Sequence, residues 1–369
     1  MALKLRIASF NVQNLFSRPK VFNFHDKSKG DNWLAKIDEF QKILREENYT
    51  AIRKARLVEL WNDEKVKDYV TVNEERGSKL FERSGYAVVG VLADGADDWD
   101  GSIAFKRAKF SDIARGNTAQ VIKDTMADVM CIVEAEDRPT LRSFDGHALN
   151  NRFKYEMLLD GNDNRGIDVG LYSKYPLGGI WTHMFDRVGN SRIFSRDCPE
   201  YEVFLPNGEN LYVLCNHLKS KGYDTDGTAD ERREKQAKEI VKILGAYDLK
   251  NELVVVAGDL NDYPTSKPLK PLMDVKNLHD VLELQFPTEP ARRWTYEYEN
   301  VFEQYDYVMV SEPLRDAFVK ARVERKGMYK LEKMTSANPD IDTEKEYDTV
   351  KLWKDAASDH GAVCAEFSL

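Results

Sequence analysis

The residues in this sequence best suited to chemistry sit where short apolar runs stop. The run 7–10 ends in Asn11, the run 129–133 in Glu134, and the run 211–215 in Asn216-His217. The run 253–257 ends in Gly258-Asp259-Leu260-Asn261-Asp262, Asp306 opens the run 307–310, and Ser358-Asp359-His360 opens the last one. Carboxylate and carboxamide oxygens without thiolates suit a hard cation such as Mg²⁺ or Mn²⁺. A His beside an Asp, with a further Asp to orient it, suits general-base activation of water. Amide and imidazole donors suit the non-bridging oxygens of a phosphate as charge builds up on them.

Singly, each of these signals is ordinary. Gly-Asp-x-Asn is a frequent turn, because Asp and Asn bond to their own backbone, and Ser-Asp-His before a strand is a frequent capped turn. Glu134 says more. It follows Cys131-Ile132-Val133 directly, and an unpaired carboxylate at the edge of a core is costly. His25, His147, His183 and His279 read as loop residues without an ordered carboxylate setting, structural or exposed.

The runs that carry these residues are short, rich in β-formers and ended by polar residues, which predicts strands over 5–10, 129–133, 169–172, 211–215, 253–257, 307–310 and 362–367. Helical patterns fall between them. One covers 116–126, with Asn117 or Thr118 as its cap, and one covers 230–247, with Ala237, Ile240, Val241 and Leu244 on one face. Strands and helices mix throughout, so the class is α/β or α+β. Ligands in open α/β sheets gather at strand ends, where these polar residues stand. Residues 17–110 differ: charged helical patterns over 33–47 and 50–66 precede Gly- and Asp-rich sequence at 93–101. We expect one domain over 1–369 with a long insertion at about 17–110, because the first strand needs later strands to complete a sheet. The insertion would pack on the main domain or cover a cleft; a separate partner-binding module is the alternative.

Composition narrows the class further. The chain has 369 residues, 42% hydrophobic and 32% charged, ample for a core. Its net charge of −9 gives no direct argument for nucleic acid through phosphate neutralisation. It gives none against it either, since Lys and Arg can gather at the rim of an acidic site. None of the four cysteines forms a CxxC pair, which argues against zinc and against a disulfide framework. No apolar run approaches the roughly 20 residues of a membrane span. The start Met1-Ala2-Leu3-Lys4-Leu5 is not leader-like, so the expected location is cytoplasmic, with secretion of a trimmed chain left open. No protein partner is predicted.

Taken together and in order, the segments 7–15, 127–134, 216–220, 258–261, 306–307 and 358–360 resemble the endonuclease/exonuclease/phosphatase superfamily. The stretches Arg165-Gly166-Ile167-Asp168 and Phe194-Ser195-Arg196-Asp197 are similar to its bacterial nuclease-like members. Two features depart from the family pattern: Val133, whose side chain beside Glu134 is expected to point into the core, stands where many members have Gln, and the insertion is long. The resemblance implies a DNase I-like, four-layered α/β sandwich, two packed mixed β-sheets flanked by helices, with the site at one end. It implies that Glu134 binds the metal, Mg²⁺ or Mn²⁺, assisted by Asn11 and Asp359. His360 would be the general base, and Asp306 would orient it. His217 and Asn261 would donate to the phosphate. Asp259 would position the water, bind a second ion or share the base role. Attack would be in-line. Arg165, Arg196, Lys219 and Lys221 are the cations proposed to meet substrate at the rim, Arg196 being the best placed by the resemblance.

The first functional expectation is a nuclease acting on DNA or RNA. The alternatives are a small-molecule or lipid phosphoesterase, of inositol-phosphate or sphingomyelin type, and a non-catalytic binding module. Residues 300–305 lack the Trp–Cys–Asp–Arg signature associated with inositol-phosphate phosphatases, and 294–298 is interrupted by charge, so no exposed apolar hairpin is expected there. The full polar set argues for a working site.

Overall fold

Continuous apolar runs such as Leu253-Val254-Val255-Val256-Ala257 need both faces covered, and the architecture provides that. A computed structural model describes residues 2–13, 19–22, 27–75, 77–106, 111–163, 166–221 and 228–369. The chain divides into two units, Met1–Phe16 with Phe110–Leu369, and Ser17–Lys109.

The larger unit holds two six-stranded sheets. We label their strands β1 (Lys4–Asn11), β2 (Val129–Ala135), β3 (Tyr155–Leu158), β4 (Asp168–Ser173), β5 (Leu177–Trp181), β6 (Glu200–Phe204), β7 (Asn210–His217), β8 (Leu253–Asp259), β9 (Leu278–Asp280), β10 (Asp306–Ser311), β11 (Phe318–Glu324) and β12 (Ala362–Ser368). The first sheet runs β11-β12-β1-β2-β4-β3 and the second β9-β10-β8-β7-β6-β5. Each has one parallel pair at its centre, β1 with β2 and β7 with β8, and its other neighbours are antiparallel.

Side chains alternate across each strand, and this sorts the core into layers. Leu5, Ile7, Val129, Cys131 and Val133 face Val213, Cys215, Val255 and Ala257 in the cluster between the sheets. The opposite face of the first sheet, with Phe10, Met130 and Ile132, packs with Val121, Ile122, Leu141 and Phe144 of the helices Asp112–Thr125 and Arg138–Ala148. Leu214, Val254 and Val256 of the second sheet pack with Ala237, Ile240 and Leu244 of the helix Ala229–Leu244. The result is a four-layered helix–sheet–sheet–helix sandwich. Val133 lies in the inner core, as expected for the residue before Glu134.

Local expectations fail in identifiable places. Helix Asp112–Thr125 starts earlier than its periodicity predicted, because Ser111 caps it by accepting from Ala114 N. Asn117 and Thr118 are therefore buried interior residues, bonded to the carbonyls of Asp355 and Ala357. His147 lies in a helix, His279 lies in a strand with Nε2 2.9 Å from Glu312 Oε2, an ordered carboxylate setting that was not expected, and His25 lies outside the described residues. His183 likewise has an ordered carboxylate setting: Nδ1 is 2.8 Å from Asp186 and Nε2 is 2.8 Å from Glu200. The stretch 294–298 does enter a hairpin, Tyr296–Tyr298 with Val301–Glu303, with Tyr298 and Val301 exposed among Glu297, Glu299 and Glu303.

The smaller unit has helices Lys27–Leu44 and Ala51–Asn62, the latter capped by Thr50, and two antiparallel pairs, Val70–Glu74 with Gly101–Phe105 and Phe81–Ser84 with Ala87–Val91. Phe40, Trp61 and Phe81 cluster with ring centroids 5.0–6.4 Å apart. Among the described residues, no helix is long and apolar enough to cross a membrane.

Candidate active site

The register of the two parallel pairs creates the site. Asn11 pairs with Val133 at the end of β1 and β2, next to Glu134. His217 pairs with Asp259 at the end of β7 and β8, and Asp259 pairs with Asp306 at the start of antiparallel β10. β12 runs antiparallel to β1, so His360, just before it, reaches the same end as Asn11. Parallel and antiparallel neighbours thus deliver carboxyl-terminal ends and amino-terminal starts to one rim.

Turns then aim the side chains. Glu134 has φ 66 and sits at a register shift between Val133 and Ala135. A bulge there takes its side chain out of the regular alternation. Gly258 has φ 139, and Asn261 has φ 54 with its N–H donating to Asp259 Oδ1 at 2.8 Å. One amide proton of Asn261 goes to Leu218 O at 3.2 Å, so this residue also ties two loops together. Asn11 Nδ2 donates to Asp259 Oδ2 at 3.1 Å and links the sheets, while Asn11 Oδ1 accepts from Gln13 N. Ser358 donates to Asn11 O at 2.7 Å and accepts from His360 N at 3.0 Å.

His360 Nδ1 lies 2.7 Å from Asp306 Oδ2, and both residues are buried. Three further pairs stand slightly apart: His217 Nε2 is 3.9 Å from Glu134 Oε1 and 3.8 Å from Asp259 Oδ2, and His360 Nε2 is 3.9 Å from the same Asp259 oxygen. These gaps are too long for direct hydrogen bonds and fit groups that share a ligand between them. Burial works against charge on His360, but Asp306, Asp259 and Asp359 outweigh it and raise the imidazole to about 10. Burial pushes the Asp259 carboxyl up, with His360 opposing and Asp306 adding to the shift. The shared proton belongs on His360, which three carboxylates face.

The donor set fits a hard divalent cation. Among the described residues, Asp306 Oδ1 is buried and accepts no hydrogen bond, an arrangement that is costly without a positive partner. Among the described residues, ligand atoms of Asp259, Asp306 and His360 lie within 4.8 Å of one another. Glu134 and Asp359, two of the three ligands expected from sequence, do not join that group, although Glu134 is within reach of His217.

The substrate cations fare unevenly. Arg165 lies outside the described residues. Arg196 is not on an open rim: it is 3% exposed, with Nε 3.1 Å from Asp163 and Nη1 donating to Leu218 O. Such burial makes it a loop anchor, because moving it would strand Asp163. Lys219 is half-buried, its N–H bonded to Gln236 and its carbonyl to Arg233. Lys221 lies 2.8 Å from Asp262 and over the rings of Tyr263 and Tyr305, at 4.2 and 5.1 Å. Sequence reading missed Arg233, Thr295 and Tyr296. Arg233 is wholly buried against Asp262 on a helix that reads as charged. Tyr296 places its ring 4.8 Å from His360. Nothing in their spacing marks them.

The profile of the Endonuclease/Exonuclease/phosphatase family matches residues 8–360. The chain belongs to that family. Asn11, Glu134, His217, Asp259, Asp306 and His360 all lie within the span matched to it. Among curated proteins, the chain is 24% identical to sphingomyelinase C of Leptospira interrogans over 207 residues, 50% of this chain and 37% of that protein. Among solved structures, it is similar to truncated TDP2 of Caenorhabditis elegans, with 15% identity, coverage of 70% and 91% of the two chains, and a TM-score of 0.47. An AP endonuclease from Archaeoglobus fulgidus gives 15%, 68% and 93%, and 0.47.

Proposed function

We propose that this endonuclease/exonuclease/phosphatase family member is a divalent-metal-dependent phosphodiesterase and that its substrate is a nucleic acid. The observation that carries the reading is the buried His360–Asp306 pair facing Asp259 and His217 across ligand-sized gaps. His360 Nε2 takes the proton of the attacking water, and Asp306 orients the ring and stabilises its protonated form. His217, with its Nε2 toward Glu134 and Asp259, donates to a phosphate oxygen. Asn11 and Asn261 hold the Asp259 carboxylate in place. Asp259 and Asp306 would hold the cation, with Glu134, Asn11 and Asp359 as further oxygen ligands at the same rim; when bound, it would offset the carboxylate charge that keeps His360 protonated and polarise the phosphate.

The nucleic-acid reading draws support from Lys221 beside Tyr263, a residue that is 38% exposed. A cation next to an aromatic face suits a polymer of phosphates and bases. A second reading, a lipid phosphodiesterase, draws support from the sphingomyelinase C match. Glu297 and Glu299 on the hairpin disfavour an anionic bilayer but not the zwitterionic headgroup of sphingomyelin, so the assay separates the two readings.

Hydrolysis of single- and double-stranded DNA, RNA, bis(4-nitrophenyl) phosphate and sphingomyelin, with Mg²⁺, Mn²⁺ or chelator, tests both readings. Metal-dependent nucleic-acid cleavage supports the first. Turnover of sphingomyelin alone replaces it with the second. No turnover under any condition refutes the phosphodiesterase reading.

A further inference from the structure

Asp306 and His360 are 54 residues apart in sequence, so something besides their own strands must keep the two in register. Thr295 is placed to do it. It is fully buried, and its hydroxyl oxygen accepts the N–H of Tyr305 and of Asp306, each at 3.0 Å. Its carbonyl accepts the N–H of Gly361 at 2.7 Å, and its own N–H donates to Glu303 O at 2.9 Å. One residue is thus bonded to Asp306 itself and to the neighbour of His360.

The flanking residues reinforce the arrangement. Tyr296 forms a β-bridge with His360 and lays its ring against the imidazole. On the other side, the buried Arg325 donates to Trp294 O from Nε at 3.0 Å and from Nη2 at 2.8 Å, with its guanidinium over the Trp294 ring at 4.3 Å. The strap 294–296 is anchored at one end and touches both members of the pair at the other.

We propose that Thr295 is a positioning residue whose hydroxyl sets the backbone that carries Asp306, and so the Asp306–His360 hydrogen bond. The proposal rests on the reading of that pair as catalytic. Valine reproduces the shape of threonine but offers no acceptor. It would leave two buried N–H groups unpaired, and they can regain partners only if the backbone at 305–306 moves. Serine keeps the oxygen and loses only a methyl. Cysteine offers a weaker acceptor of similar size.

The test compares Thr295→Val, Thr295→Ser and Thr295→Cys with the wild-type chain, using bis(4-nitrophenyl) phosphate with Mg²⁺ and the NMR signals of the His360 imidazole. We expect Thr295→Val to lower kcat by about 10²-fold with little change in KM, the size of effect seen when reacting groups are misplaced by about 1 Å. Its His360 Nδ1–H resonance should shift or vanish. Thr295→Ser should retain most of both, and Thr295→Cys should lie between. Three results would each overturn the proposal: wild-type kcat in Thr295→Val, a Thr295→Ser variant as slow as the valine one, or lost turnover with an unchanged His360 signal. Should the valine variant not fold, the cysteine variant carries the same comparison. A wild-type chain that leaves the diester intact would refute the proposed function, while the imidazole signals would still decide whether Thr295 positions the pair.

Discussion

Gly258→Ala should cost stability and misplace the site through the same contact. Gly258 has φ +139, and a Cβ built there would lie 1.9 Å from Asn216 O, 2.7 Å from Asn216 C and 2.9 Å from Asn216 N. These are backbone atoms of the neighbouring strand, so no side chain can turn away. Forcing a non-glycine residue into this conformation costs about 1–3 kcal/mol, and overpacking adds about 1–3 kcal/mol. The total, roughly 2–6 kcal/mol, is a large part of a typical stability of about 5–15 kcal/mol. Relief requires β7 and β8 to separate at Asn216 and Gly258, one step from the His217–Asp259 pairing. A shift of about 1 Å there is expected to reduce turnover about 10²-fold. Urea denaturation followed by circular dichroism would read the stability, and hydrolysis of bis(4-nitrophenyl) phosphate the activity. Gly208→Ala is the control, because Gly208 also has positive φ, +90, but nothing lies within 4 Å of its added Cβ. That variant should lose only the strain. If Gly258→Ala loses no more stability than Gly208→Ala and keeps full activity, the close approach of the two strands is not what demands glycine.

His360→Ala should lower turnover by about 10²–10⁴-fold and also lower the urea midpoint, because it strands the buried Asp306 carboxylate; activity within a few-fold of wild type would remove His360 from the base role. Arg233→Met should cost about 3–5 kcal/mol, because Arg233 and its partner Asp262 are both buried and Arg233 also holds the Lys219 carbonyl; a loss below about 1 kcal/mol in urea denaturation would contradict that. Burial alone would lower the pKa of His183, but its bonds to Glu200 and Asp186 prevail and raise it above the ordinary 6.5. Its folded-state proton therefore stabilises the fold fully below pH about 6.5, and that contribution is lost as pH rises through the elevated folded value. Stability measured from pH 5 to 9 should fall less steeply in His183→Gln than in wild type, and identical slopes would refute the ion-pair account.

The limits of sequence reading are visible at particular residues. A short run rich in β-formers placed Leu5, Ile7 and Phe10 in a strand, and Val133 was expected in the core because of its place beside Glu134. The helix Asp112–Thr125 was found but its start was misplaced, since Asn117 and Thr118 have cap-like side chains that tertiary contacts with Asp355 and Ala357 use instead. His183 read as a loop residue because its carboxylates, Asp186 and Glu200, reveal nothing by spacing alone. Arg196 read as an exposed rim cation, and only the packing around Asp163 shows that it is buried.

By itself, the sequence determined which residues end the strands, because hydrophobic period and turn chemistry are local properties. Those residues also carry the family resemblance, which residues 8–360 bear out. Tertiary structure alone decided which of these strand ends meet. The pairing of β7 with β8 in parallel and of β8 with β10 in antiparallel sets His217, Asp259 and Asp306 side by side. The packing of the two sheets then brings Asn11 within 3.1 Å of Asp259. Distances between groups hundreds of residues apart depend on register and layer packing, which no local pattern encodes. For the same reason Thr295, with no motif of its own, becomes visible only once the strands it joins are in place.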